Sequence, residues 1–238
     1  MRSEILQEQI QYYRERASEY DEWFFRQGRY DRGEDHRQQW FSEVSQVEVA
    51  LRSAAPSGNI LELACGTGLW TQHLAPFATH LTAVDASPEV IALNQQRVGS
   101  ASVEYIVADL FNWIPKQQFD FVFFGFWLSH VPMEQFAPFW QMVKGALKPN
   151  GRVFFVDSLF TQESTARNHA PLNQQGYSER KLNDGRTYRV IKIFHESTQL
   201  QESLQSLGWL GHVHCTENYF LHGLFCRSPH NNSNAADG

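Results

Sequence analysis

The chain has 238 residues, enough for one sizeable α/β domain with a full core or for two small domains. Hydrophobic residues make up 42% and charged residues 19%, an ordinary globular balance, and a net charge of −6 argues against nucleic-acid or membrane-surface binding driven by overall charge. No apolar run approaches the roughly 20 residues that span a bilayer, the polar N-terminus lacks a secretory h-region, and Cys65, Cys215 and Cys226 form no metal spacing or even-numbered disulfide set, so a cytoplasmic protein is expected.

Residues 3–27 read as an aromatic helix carrying Tyr12, Tyr13, Tyr20, Trp23, Phe24 and Phe25. Residues 34–53 read as a second helix, with Trp40, Val44, Val47 and Leu51 on one apolar stripe. Pro56-Ser57-Gly58 breaks the chain. Short apolar runs then alternate with helices: strands at 59–63, 80–84, 103–108, 119–124 and 152–156, helices at 69–75, 88–98 and 132–147. Ser87 reads as the N-cap of the 88–98 helix, with Pro88 at its first position. This alternation implies right-handed crossovers and a parallel sheet covered on both faces. An insert at 158–195 follows the fifth strand, and within it Asn183-Asp184-Gly185 marks a tight turn between two strand-like runs. A helix at 199–207 and an antiparallel pair at 209–216 and 219–226 complete a doubly wound, mostly parallel seven-stranded sheet. Residues 1–230 are expected to form a single domain, and residues 231–238, small and polar, a flexible tail.

In such a sheet, ligands bind outside the carboxyl ends of the strands. The first strand leads into Glu62-Leu63-Ala64-Cys65-Gly66-Thr67-Gly68, where Gly66 and Gly68 let the backbone approach a ligand. Thr71 stands where the G-x-G-x-x-G fingerprint needs its third glycine, which argues against a nicotinamide-dependent dehydrogenase. Asp85 ends the second strand, followed by Ala86, and Asp109-Leu110-Phe111 follows the third. A carboxylate at the first place can accept both ribose hydroxyls. One at the second can meet an adenine amino group, with apolar neighbours flanking the ring. Alone, either aspartate serves equally well as a helix cap. Cys65 reads as a small buried thiol and Trp70 as core.

The acidic-x-x-x-G-x-G turn, the two aspartates, Phe119-Asp120-Phe121-Val122-Phe123-Phe124 and Leu147-Lys148-Pro149-Asn150-Gly151-Arg152 arrive in order across residues 59–157. Together they resemble the class I S-adenosylmethionine (SAM)-dependent methyltransferases. That resemblance implies a Rossmann-like fold and SAM as cofactor, with contacts at Gly66, Gly68, Asp85, Ala86, Asp109, Leu110 and Phe111. It also implies that residues 1–55 form a helical lid over the methionine end of SAM, reached by Tyr13. By their spacing Tyr13, Arg16 and Tyr20 share one helical face.

Within 180–192, Arg180, Lys181, Arg186, Arg189 and Lys192 stand against a single acid, Asp184. Alternation puts Lys192 on one face with Tyr188, Val190 and Phe194. A basic exposed hairpin and an anion-binding site for an acidic substrate both fit this pattern. YYRERASEYD at 12–21, LELACGTGLWTQHL, VFFGFWLSHVP and DGRTYRVIKIF further resemble the phosphonate O-methyltransferase of dehydrophos biosynthesis, from about residue 10 to 225. The resemblance implies an anion held by Arg180, Lys192 and Tyr30, although the segment between Asp21 and Trp40 departs from that pattern in length and composition. His130, just after the fourth strand, lines the acceptor pocket on this reading. It would be the base for a neutral hydroxyl acceptor, or else a packing residue ahead of the helix at Pro132. His212 and His214 alternate on a late strand without a third ligand, so no metal is expected.

The expected function is SAM-dependent methylation of a small anionic substrate, phosphonate- or phosphate-like. The alternatives are O- or N-methylation of a carboxylate or neutral small natural product, and a non-catalytic SAM-binding module. No nucleic-acid or membrane partner is expected, and the oligomeric state is not legible.

Overall fold

The computed structural model describes residues 2–167, 169 and 176–228; the expected tail at 231–238 lies outside them. Three helices precede the sheet: α1 (Arg2–Glu15), α2 (Tyr20–Phe24) and α3 (Glu34–Ser53). The single helix expected over 3–27 is therefore broken. A 3-10 turn at Ala17–Glu19 separates α1 from α2. The reason is tertiary: Arg16 is buried beneath tyrosines, with its guanidinium carbon 5.0 Å from the Tyr20 ring, and the bend brings Tyr20 within 6.2 Å of Tyr13. Beyond α2, Arg26 takes a left-handed φ of 55° and its fully buried guanidinium donates to the carbonyls of Trp23, Glu163 and Ser164. These bonds tie the N-terminal segment to the insert.

The Trp40, Val44, Val47 and Leu51 stripe of α3 is buried against one face of the sheet, with Ile60, Phe121, Phe123 and Phe154. After it come β1 (Gly58–Leu63), α4 (Thr71–Leu74), β2 (Ala78–Asp85), α5 (Pro88–Val98), β3 (Val103–Val107), β4 (Phe119–Gly125), α6 (Met133–Ala146) and β5 (Leu147–Ser158). Ser87 caps α5, its hydroxyl accepting from the Val90 amide. The fifth strand is longer than expected because the Lys148-Pro149-Asn150-Gly151 stretch belongs to it. Successive residues of β4 feed opposite cores: Phe121 and Phe123 pack under α3, whereas Val122 and Phe124 pack with Phe139 and Trp140 of α6. This two-sided burial explains why the run reads as continuously apolar.

The chain then forms the hairpin β6 (Tyr177–Lys181) and β7 (Thr187–Ile191), followed by α7 (Ser197–Ser206), β8 (Trp209–Cys215) and β9 (Phe220–Arg227). The seven-stranded order is β3-β2-β1-β4-β5-β9-β8, parallel through β5 and antiparallel at β9 and β8. The fold is a Rossmann-like α/β sheet whose strand order switches between β1 and β4. β6 and β7 pair only with each other, as a separate sheet. An isolated hairpin needs a partner surface, and α1 supplies it. Leu182 and Val190 pack on Tyr12, Gln9 accepts from the Ile191 amide at 3.0 Å, and Arg189 pairs with Glu8 at 2.7 Å. Helix and hairpin together roof the carboxyl ends of the strands. Among the described residues no helix is long and apolar enough to cross a membrane.

Candidate active site

Under that roof lies a cavity of about 420 Å³ at the carboxyl ends of β1, β2, β4 and β5. Its floor begins with Ala64, which turns the chain sharply after β1 at φ 54°, and Gly66 follows at φ 52°. The Gly66 amide donates to Asp85 Oδ2 at 2.9 Å and the Ser87 amide to Oδ1 at 3.0 Å. Burial raises the Asp85 pKa and these amides pull it back down. Braced in this way, the carboxylate keeps lone pairs for a ligand's hydroxyls. Asp109 accepts from the Phe111 amide at 3.0 Å and from the Asn112 side chain at 2.7 Å, so it caps its turn while lining the cavity. Ala86, Leu110 and Phe111 line it as well.

Gly68, two residues beyond Gly66 in the same turn, packs against α5 and does not itself line the cavity. A Cβ there would lie 2.7 Å from Asn94 Oδ1, and φ is 90°; the glycine lets the loop close onto α5. Glu62 is buried, and desolvation pushes its carboxyl up to about 8. Burial likewise pushes the Cys65 thiol up, in keeping with a packing role.

Tyr13, Arg16 and Tyr20 all reach the cavity even though the helix ends between them. The Tyr13 hydroxyl lies 2.8 Å from His130 Nε2, and His130 Nδ1 lies 2.6 Å from the Ile191 carbonyl. A carbonyl only accepts, so Nδ1 carries the proton and Nε2 receives the Tyr13 hydroxyl. Burial, and then Lys192, lowers the His130 pKa to about 3. His130 is thus a neutral ring with both nitrogens engaged. A second tie links the N-terminal segment to the glycine loop: Thr67 Oγ1 donates to Asp21 Oδ1 at 2.6 Å, and Arg97 joins the same carboxylate to the Thr67 carbonyl.

Lys192, one residue past the end of β7, is 8% exposed and lines the cavity. Its ammonium donates to Ser129 Oγ at 2.8 Å and stands 3.6 Å from Asp157 Oδ1. Burial lowers its pKa to about 8, against the opposing pull of Asp157. On β6, Arg180 Nη1 lies 3.0 Å from His169 Nδ1, and burial followed by the Arg180 charge lowers the His169 pKa to about 3. Tyr30 is buried, and its hydroxyl accepts from Arg16 Nη2 at 3.2 Å. Tyr30, His130, Arg180 and Lys192 therefore line the same cavity as the residues read for the cofactor. His169 and Asp157 were not singled out in the sequence. His169 sits in an insert with no periodic pattern. Asp157 had a usable signal, because like Asp85 it is a carboxylate near the end of a parallel strand.

Residues 60–151 match the methyltransferase domain family. The solved DhpI–SAH complex is 36% identical, with a TM-score of 0.78, over 95% of this chain and 98% of that one. The DhpI–SAM–HEP complex agrees at 36% identity and TM-score 0.78, over 93% and 97%. The chain belongs to the class I SAM-dependent methyltransferases. Nodulation protein S of Sinorhizobium fredii (strain NBRC 101917 / NGR234) is 37% identical over 79 residues, 33% of this chain and 37% of that protein. The chain spans about a third of the length of the curated relatives it matches.

For a methyltransferase of this class the cavity fits SAM on its own chemistry. The left-handed turn at Ala64–Gly66 opens the backbone to a ligand, Asp85 retains acceptor capacity, and Leu110 and Phe111 offer apolar surface beside Asp109.

Proposed function

We propose that this methyltransferase transfers the methyl group of SAM to an anionic oxygen of a small acidic acceptor, phosphonate- or phosphate-like. Residues 1–55 act as lid and residues 158–195 as acceptor-side insert. One observation carries the reading: Arg180 and Lys192, from the hairpin, converge with Arg16 on a single cavity that also holds Asp85 and Asp109. Three cations facing one small enclosed space suit an anion. The DhpI complex with SAM and HEP, and the sequence resemblance to a phosphonate O-methyltransferase, support the same class of acceptor.

SAM supplies a methyl group already activated on a sulfonium. The protein's share is alignment and exclusion of water. Arg180 and Lys192 hold two oxygens of the acceptor, with Tyr30 beside them, and leave the third oxygen to attack in line. In a complex with SAM, that oxygen's lone pair would take the methyl group as the S–C bonding pair stays on sulfur; the residues' part is to hold the oxygen in line. An ionised phosphonate oxygen carries no proton, so no base is required, and the engaged nitrogens of His130 are consistent with that.

Arg180→Ala and Lys192→Ala test the reading. Each removes a charge-assisted contact of about 1.5–3 kcal/mol, so each should raise the acceptor KM by roughly 10- to 100-fold. SAM affinity, measured by calorimetry, should stay within about two-fold of wild type because neither side chain serves the cofactor half. If both variants keep wild-type acceptor kinetics, the anion clamp is wrong.

A further inference from the structure

Lys192 is buried except toward the cavity, and the groups around it have definite charges; His195, three residues on, is kept neutral chiefly by burial. Arg180 on β6 and Arg16 after α1 are both cationic and oppose its protonation. From the turn after β4, Ser129 is neutral and accepts its hydrogen bond, and His130 is a neutral ring. The Phe194 ring lies 5.1 Å from the ammonium. Against these stands one carboxylate, Asp157, near the end of β5, 1% exposed and 3.6 Å from the ammonium. Both Asp157 oxygens are already anchored: Oδ2 accepts the Ser129 amide at 2.8 Å and Oδ1 the Ser158 amide at 2.7 Å. Asp157 does not line the cavity, whereas Lys192 does. The carboxylate thus stands behind the ammonium, and with one hydrogen on Ser129 and one directed at Asp157 the third stays available to a ligand in front.

We propose that Asp157 is a positioning residue of the acceptor site, fixing the Lys192 ammonium in place and keeping it charged so that a buried lysine can receive an anion. The proposal rests on the anion-acceptor reading above for its consequence in turnover, but its physical core is independent of that reading. Without Asp157, a lysine desolvated beside two arginines sheds its proton near neutrality, and the clamp loses one of its charges. Asp157 does not line the cavity and acts on it through Lys192, while its bonds to the Ser129 and Ser158 amides hold the carboxylate itself in place.

Two readouts test it on the full chain. The first is the ¹³Cε titration of Lys192 in lysine-labelled protein, assigned with Lys192→Arg. It should fall near about 8 in wild type and shift down in Asp157→Asn. The second is acceptor KM against pH, using methylphosphonate as the probe and comparing the variant with wild type at each pH so that the probe's own ionisation cancels. Asp157→Asn should raise KM by about ten-fold at pH 8 and by no more than about three-fold at pH 6.5, with kcat and SAM affinity close to wild type. In a Lys192→Arg background, where the side chain stays charged regardless, adding Asp157→Asn should lose that pH dependence. If Asp157→Asn fails to fold, the Asp157 ¹³Cγ titration in Lys192→Met replaces it: losing the ammonium should raise that carboxyl. An unshifted Lys192 titration in Asp157→Asn, or a KM increase equal at both pH values, overturns the proposal. Absence of turnover by wild type with any anion would sink the acceptor reading alone, since the titrations would still decide the role of Asp157.

Discussion

His130 illustrates how a residue's type and place can suggest one role while its bonds support another. Its position after β4 suggests a general base, yet Nδ1 donates to the Ile191 carbonyl and Nε2 is covered by the Tyr13 hydroxyl. Its depressed pKa, about 3, leaves it a poor proton acceptor at neutral pH. His130→Gln, which can preserve hydrogen bonding on both sides, should keep kcat with a phosphonate within about five-fold. A loss of about a hundred-fold or more, read in steady-state kinetics, would mean that a proton is being removed and that the acceptor is a neutral hydroxyl. Asp85 and Asp109 stand out in the sequence by their place at or just after parallel strands, and the structure puts both on the cavity while each also caps its own turn. Asp157 carried the same signal but pointed to no ligand. Its partner Lys192 lies 35 residues away in sequence, and only folding brings them together.

At the scale of elements, boundaries set by local chemistry are legible in the sequence and those set by tertiary contacts are not. The α5 boundaries followed from Ser87 and Pro88, and the hairpin from Asn183-Asp184-Gly185. The break after α1 had no local mark, because Arg16 ends the helix to reach a nest of tyrosines contributed by three segments. Nor did the sequence tell that α1 and the β6–β7 hairpin form one cap. Beyond the small buried cluster of Tyr12, Leu182 and Val190, the cap is held by polar contacts at its rim: Glu8–Arg189, Glu15 with Arg186 and Tyr188, and Arg14–Glu89 at 3.2 Å. Exposed pairs of this kind contribute about 0–1 kcal/mol each, so on the proposed reading of this segment as a lid they would cost little to break on opening. Hydrogen exchange should therefore be faster in α1, β6 and β7 than in β4 and β5, and SAH should slow it in α1 while leaving β4 unchanged. Uniform protection across all of these elements without ligand would show that the cap is not a separate opening unit.

The whole sheet was predictable because strand and helix alternate with little irregularity, and the order β3-β2-β1-β4-β5-β9-β8 puts its switch point where the glycine turn lies. That geometry also buries Glu62 at the centre of the sheet, with a consequence for global stability. Its folded-state pKa, about 8, is raised above the ordinary carboxyl value of about 4.5 by desolvation. Below the ordinary value both states hold the proton and stability is fully present. As pH rises toward 8 only the unfolded chain ionises, so stability is lost across that window. Glu62→Gln removes the titration, and urea unfolding without cofactor should find wild type losing ground to the variant between pH 5 and 8, by on the order of 4 kcal/mol. A constant difference at both pH values would show that Glu62 does not titrate this way.

Acceptor choice decides whether the methyl group of SAM passes to an anionic oxygen. Purified protein with SAM would be offered a short phosphonate, a phosphate monoester, a carboxylate and a neutral alcohol of matched size. SAH release would be followed for each, with ³¹P NMR for the phosphorus compounds. Turnover is expected with the phosphonate or phosphate, with a new methyl-ester phosphorus resonance, and little or none with the alcohol. Turnover of the alcohol with the phosphorus compounds left untouched would contradict transfer to an anionic oxygen.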